Sequence, residues 1–207
     1  FFYTLVAFFE RQSMQMAPGA GGALNVNQAL IGPAFMNVSV IVLFVMPMIT
    51  MRSYAEEKRS GTMELLLTSP LTDVQIILGK FFGAVALYAV MLGVTLIHIA
   101  VLFAYGSPEW KPVATGYLGL LLMGSCFISA GLFISSLTKN QIVAGMVSFA
   151  VLLMLWVINW LGQSMGPPGQ AVVTHLSITD HLDDFARGII DTKHLVYYLS
   201  FIVFGLF

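Results

Sequence analysis

Long apolar stretches, separated by short polar ones, set the pattern of this chain. A membrane-spanning helix needs about 20 predominantly apolar residues. Three stretches reach that length without Asp, Glu, Lys or Arg: residues 32–51, residues 81–105, which hold His98, and residues 113–138. A fourth, residues 142–162, is weakened at its far end by Asn159 and the following Gln163. Residues 1–9 (FFYTLVAFF) lack an initiator Met and a basic leader, and residues 194–207 stop inside an apolar run, so both read as parts of further spans. The pattern predicts an all-α integral membrane protein of six transmembrane helices, the first and last truncated, forming one domain over residues 1–207.

The polar links then alternate between two sides, with residues 10–31, 106–112 and 163–193 on one and residues 52–80 and 139–141 on the other. Arg52, Lys58, Arg59, Lys80 and Lys139 make the second side denser in positive charge than Arg11, Lys111, Arg187 and Lys193 make the first. The positive-inside bias therefore places 52–80 in the cytoplasm. Composition agrees with a lipid environment: 58% of residues are hydrophobic and 9% charged, against about 25% charged in soluble domains. A formal net charge of -1 without a basic stripe excludes a nucleic-acid partner. The single Cys126 cannot form an internal disulfide.

Within the spans, Pro47 removes a backbone donor and predicts a kink, read either as packing or as a gating hinge. Gly79 with Gly83, Ala89 with Gly93, and Ser125 with Ser129 have the spacing of close helix contacts. His98 is the ionisable group well inside a span, and reads as a helix–helix hydrogen bond or a substrate contact, as do Asn37 and Asn159. The 12 Met and 16 Phe suit either lipid-facing packing or an adaptable surface for a lipidic substrate.

Residues 52–80 (RSYAEEKRSGTMELLLTSPLTDVQIILGK) carry more than a simple link between spans needs. Ser60 or Thr62 can cap a short helix with Glu64 favourably placed in its first turn, ending before Pro70. Thr72 and Gln75 have capping-box spacing, starting the helix that runs through Lys80 into the next span. The short helix shows Met63, Leu65, Leu66 and Leu67, is too short to be stable alone in water, and must dock on something. A lipid interface or a protein partner both fit that requirement.

This stretch resembles the first cytoplasmic loop of ABC-2 type transporter permeases, E-[KR]-x-x-G-T-x-E-x-L-L-x-[ST]-P, matched by Glu57, Lys58, Gly61, Thr62, Glu64, Leu66, Leu67, Ser69 and Pro70. Within the family the chain is most similar to the gliding-motility-type permeases, as are residues 177–198 (SITDHLDDFARGIIDTKHLVYY). The resemblance implies a six-transmembrane-helix, type V exporter-like fold in a bacterial inner membrane. It also implies that the loop is the coupling helix, docking on a cytoplasmic ABC ATPase present in two copies and paired with a second permease copy or a paralogue. Met63, Leu65, Leu66 and Leu67 would pack against that ATPase, with Lys58, Arg59 and Glu64 at the rim. ATP and Mg would sit on the partner, with no cofactor on this chain. In keeping with that division, no G-x-x-x-x-G-K-[ST] phosphate loop occurs, since Gly79-Lys80 is followed by Phe81.

His175, Asp180, His181, Asp183, Asp184, Asp191 and His194 could in principle hold a metal, but lack tight ligand spacing. They fit better a solvated helix capped by Asp180 and closed at Gly188, with Asp183 and Asp184 in reach of Arg187. The resemblance implies that this outer segment forms a lid over an exit path. A membrane anchor or assembly platform for a gliding or secretion apparatus is the rival reading. An intramembrane enzyme is disfavoured, because no nucleophile–base pair or metal-ligand set falls within the spans.

Overall fold

The computed structural model describes residues 32–105, 109–162 and 177–207. The half-span 1–9, the link 10–31 with Arg11, and residues 163–176 with His175 lie outside the described residues. The described chain forms α1 (Gly32–Thr50), α2 (Ala55–Ser60), α3 (Thr62–Leu67), α4 (Asp73–Tyr105), α5 (Trp110–Leu137), α6 (Gln141–Gly162), α7 (Ile178–Ala186) and α8 (Thr192–Leu206), with no strand among these residues. Four of these, α1, α4, α5 and α6, are long and apolar enough to cross a membrane, and α8 is a shorter apolar helix. The chain is thus a multi-pass membrane protein.

The charge-free stretch 81–105 falls short of the helix that contains it, whereas 32–51 and 142–162 nearly coincide with α1 and α6. α4 has 33 residues, about 50 Å at 1.5 Å per residue, so it outlasts a hydrocarbon layer of about 30 Å. Its start is the expected capping box: Thr72 N–H donates to Gln75 Oε1 at 3.0 Å, and Gln75 N–H donates back to Thr72 Oγ1 at 3.3 Å. The helix then passes through Lys80 because that ammonium is satisfied by protein rather than water.

α5 is the centre of the bundle and is buried from Pro112 to Ser135 along most of its faces. Its neighbours can be oriented from their contacts. Phe35 lies against Gly116 and Thr50 against Gly131, so α1 runs parallel to α5. Cys126 Sγ donates to the Tyr198 carbonyl at 3.4 Å and Gly205 meets Ser129, so α8 is parallel too. Tyr88 donates to the Leu120 carbonyl at 2.8 Å and Thr95 bonds Tyr117 at 2.8 Å, so α4 is antiparallel. Met51 beside Gly145 and the Trp156 Nε1–Ser39 Oγ bond at 3.4 Å make α6 antiparallel to α1. One end of the bundle therefore gathers the end of α1, α2, α3 and the starts of α4 and α6; the other gathers α7 and the starts of α5 and α8.

Of the small residues spaced for close approach, Ser129 makes such a contact, with Gly205 of α8, and the glycines of α4 do not. Gly79, Gly83 and Gly93 face open space, with nothing within 4 Å of a Cβ placed there. The tight positions lie on α5, where a Cβ at Gly116 would fall 1.9 Å from the Phe35 ring and one at Gly124 2.1 Å from the Tyr88 ring. A glycine pair records only that close approach is possible. Which face of the helix meets a neighbour decides whether it is used, and α5 meets neighbours on most of its faces. Ser125 and Ser129 are buried as expected, although their hydroxyls bond carbonyls of their own helix. Pro47 is buried, and the bond from Met51 N–H to its carbonyl is intact at 2.9 Å.

Overpacking a filled helix contact costs about 1–3 kcal/mol, while changes at open positions stay within about 0.5 kcal/mol. Gly124→Val is therefore expected to lower the thermal unfolding midpoint in detergent, and Gly83→Val to leave it unchanged. Equal effects at the two positions would contradict the central placement of α5.

Candidate functional site

The polar end of the bundle is organised by a problem of unpaired backbone. α1 stops at Thr50 and α2 starts at Ala55, where no side chain of its own caps it. The first N–H groups of a helix have no partner within it, and buried ones need one. Ser135, fully buried in the last turn of α5, supplies it. Its Oγ accepts from Tyr54 N–H and Ala55 N–H, both at 3.2 Å, and donates to the Met51 carbonyl at 3.1 Å. One hydroxyl thereby uses its donor and both acceptor sites.

Three further ties fix α2. Lys58 Nζ donates to the Ser136 carbonyl at the end of α5, where the helix dipole favours a cation. Lys80 Nζ, on α4, donates to Glu57 Oε1 at 2.6 Å and to the Ser53 carbonyl at 2.5 Å, and lies 4.6 Å from the Tyr54 ring centroid. In the amide orientation that satisfies both ends, Gln141 donates to Glu56 at 2.8 Å and accepts from Arg52 at 3.1 Å, joining α2 to the start of α6.

α3 stands on this base. Gly61 both ends α2 and begins α3 at φ 75°, in the left-handed region that favours glycine. The expected cap by Ser60 or Thr62 is not made: α3 has no side-chain cap, Gly61 takes the N-cap position, and the two hydroxyls bond each other at 2.9 Å. Glu64 lies in the first turn as expected. The helix closes at its other end through Thr68 Oγ1 to the Glu64 carbonyl at 3.1 Å and Ser69 Oγ to the Leu66 carbonyl at 2.6 Å. Pro70 then bars continuation.

Of the apolar residues, Met63 packs against the core, Leu66 is half-buried, and Leu65 is 71% exposed. The Leu67 side chain lies outside those described. Arg59, Gly61, Thr62, Glu64 and Pro70 are exposed, whereas Glu57 and Lys58 are turned into the ties above. Behind α3, a cavity of about 430 Å³ runs between Met63, the first turns of α4 at Asp73, Ile76 and Ile77, and the ends of α5 and α8. The site is therefore a short, partly apolar helix raised off the bundle on a cross-linked base. Ser135, Ser136 and Gln141 escaped the sequence reading. Their one signal is polar side chains beside a charged link, a common pattern at the ends of spans.

At the opposite end, α7 begins at Ile178, so Asp180 sits in its first turn and is not the cap. Gly188 does close it: Ile189 N–H reaches the Asp184 carbonyl at 3.0 Å and Gly188 N–H the Phe185 carbonyl at 3.1 Å, with Gly188 at φ 86°. Only one face is solvated. Asp183 pairs with Arg187 at 2.6 Å, while Leu182 and Phe185 are buried, and Thr115 Oγ1 on α5 donates to the Phe185 carbonyl at 2.7 Å. Asp184 pairs with His194 Nε2 at 2.9 Å, and His194 Nδ1 lies 2.5 Å from His181 Nδ1. Asp191 caps α8, and the Lys193 N–H it accepts holds its carboxyl below the usual carboxylate range. No group of three or more metal ligands forms among the described residues. His98 is on an exposed face of α4, and the Asn159 side chain is outside those described.

Comparison with known proteins adds the following. The profile of an ABC-2 family transporter protein matches residues 8–169, more than three quarters of the chain. Two curated relatives, each titled a probable multidrug ABC transporter permease YbhR, from Escherichia coli K12 and from Escherichia coli O157:H7, are 32% identical over 104 residues. That overlap is 50% of this chain and 28% of either relative, so the match spans little more than a quarter of their length. No solved structure matches.

The Lys80–Glu57 pair is partly buried, and Glu57 Oε2 is buried without a hydrogen-bond partner. Its worth falls between that of an exposed pair and a buried one, so Lys80→Met is expected to cost about 1–3 kcal/mol. Adding Glu57→Gln is expected to restore part of that loss, as measured by thermal unfolding of the single and double variants. Strict additivity would show that the pair does not hold the base together.

Proposed function

The chain belongs to the ABC-2 transporter family, and from that premise we propose that it is the membrane permease subunit of an ATP-binding-cassette exporter, driven by a separate ATPase that docks on α3. The observation carrying this reading is α3 itself. A six-residue helix cannot persist alone in water, yet here it is capped at its far end by Thr68 and Ser69, with Leu65 presented outward. The ties through Ser135, Lys58, Lys80 and Gln141 would let such a helix take a mechanical push instead of folding away.

In this reading the polar end of the bundle faces the cytoplasm, as the positive-inside bias favours. Two ATPase copies bind ATP and Mg and close on each other. Their closure displaces α3 in each of two permeases, identical or paired with a paralogue, and opens a path between them by a rigid-body shift. Exposed apolar faces such as Phe82, Val90 and Ile97 on α4 and Met146 and Met154 on α6 suit contact with membrane lipids. The likeness of residues 52–80 and 177–198 to gliding-motility-type permeases supports that subgroup, in a bacterial inner membrane.

Leu65 is the cleanest test, because it is exposed whereas Met63 and Leu66 also pack internally. Leu65→Asp is expected to leave yield and thermal stability unchanged while reducing co-purification of the partner ATPase at least tenfold, the equivalent of about 1.4 kcal/mol. Undiminished co-purification would sink the docking assignment.

A further inference from the structure

The covalent chain suggests that a push on α3 would pass into α1 and α4, the helices that flank the loop. The bonds add a route through α5, beside the Lys80 tie to α4 and the Gln141 tie to α6. Between α3 and α4, residues 68–72 are non-helical and largely exposed, and their bonds run to the adjoining turns of α3 and α4 through the Thr68 and Ser69 closure and the Thr72–Gln75 box. Between α3 and α2, by contrast, there is only Gly61. α2 in turn is fastened to the last turn of α5 at two adjacent residues, by Ser135 Oγ on the Tyr54 and Ala55 N–H groups and by Lys58 on the Ser136 carbonyl.

α5 continues that connection to the opposite end of the molecule. It is buried along nearly its whole length, and close-packed interiors transmit displacement instead of absorbing it. Twenty residues before Ser135, about 30 Å along a helix, Thr115 Oγ1 donates to the Phe185 carbonyl of α7 at 2.7 Å. One turn further in, Gly119 brings the α5 backbone against Leu182 and Phe185, where an added Cβ would lie 2.8 Å from Phe185. α7 thus rests on the same helix that receives α2.

We infer that α5 is the shaft that carries displacement of α3 to the outer helix α7, and that Ser135 is the positioning residue joining α2 to that shaft. Ser135 touches neither nucleotide nor cargo. It acts by making α2 and α5 move as one body, so that a stroke applied at one end shifts α7 at the other. The inference rests on the ATPase reading above, since it needs a partner that pushes α3.

The test measures movement and binding separately on the full-length chain in complex with its ATPase. Spin labels placed at Ile190→Cys, beside α7, and Met154→Cys, on α6, in a Cys126→Ser background, report their separation by pulsed electron resonance. It is read with and without adenylyl imidodiphosphate and magnesium. Both labelled positions are exposed. The separation is expected to shift on adding the nucleotide to the otherwise unmutated chain and after Ser135→Thr, which keeps the hydroxyl. With Ser135→Ala the shift is expected to be lost while the ATPase still co-purifies and still binds the nucleotide. Lys58→Met, which cuts the neighbouring tie without touching a buried hydroxyl, is expected to reduce it as well and covers the case in which Ser135→Ala fails to fold. An undiminished shift in Ser135→Ala or, where that variant does not fold, in Lys58→Met would overturn the inference, as would an unmutated complex that binds nucleotide without any shift. Failure of the unmutated chain to retain the ATPase at all would instead overturn the reading on which it rests.

Discussion

Ser135 Oγ settles a constraint that the rest of the polar end depends on. A chain that leaves a membrane helix and turns at once into a second, short helix must find partners for the N–H groups that begin it. In this protein they are buried at the end of a neighbouring helix, where water does not reach, and a hydroxyl from α5 accepts two of them while returning its proton to the Met51 carbonyl. Without that acceptor each buried donor would cost about 1–3 kcal/mol. Because the acceptor belongs to α5, satisfying local backbone chemistry also fixes where α2, and hence α3, sits relative to the bundle.

The same helix governs the packing of the spans. In a bilayer, lipid is as apolar as a leucine side chain, so helices associate through close van der Waals fit and scattered hydrogen bonds. α5 provides both. Gly116, Gly124 and Gly131 admit Phe35, Tyr88 and Thr50 from α1 and α4, while the Leu120 carbonyl accepts from Tyr88 and the Tyr117 and Thr95 hydroxyls bond each other. α4 and α6 keep large apolar side chains such as Phe82, Val90, Met146 and Met154 exposed. The molecule is thus built around an inner helix with outer ones turned toward lipid.

Much of this could be read from the sequence because membrane burial is a strong selector. Charge-free length located α1, α4, α5 and α6, and the Thr72–Gln75 box marked the start of α4 to the residue. The loop was legible in part: Glu64 in the first turn and a stop before Pro70 were read correctly, whereas the cap assigned to Ser60 or Thr62 falls to the backbone of Gly61 in its left-handed turn. Interhelical partners were not legible. Gly79 and Gly83 are spaced for contact but face open space, since a repeat of small residues says nothing about which side of a helix meets protein. Ser135 could not be singled out among several serines, because its role depends on donors 80 residues away in the chain. Lys58 read as a rim charge and Glu57 as a position of the loop motif, yet both heads turn inward because Ser136 and Lys80 satisfy them there.

The proposed docking of a cytoplasmic ATPase turns on α3. A photo-cross-linking amino acid placed at Leu65 in the full-length chain, irradiated in membranes together with the proposed ATPase partner, tests that directly. A cross-linked band between this chain and the ATPase is expected from position 65, and none from Val90, on the exposed apolar face of α4. Cross-links from position 65 to lipid alone, with no ATPase adduct, would contradict it.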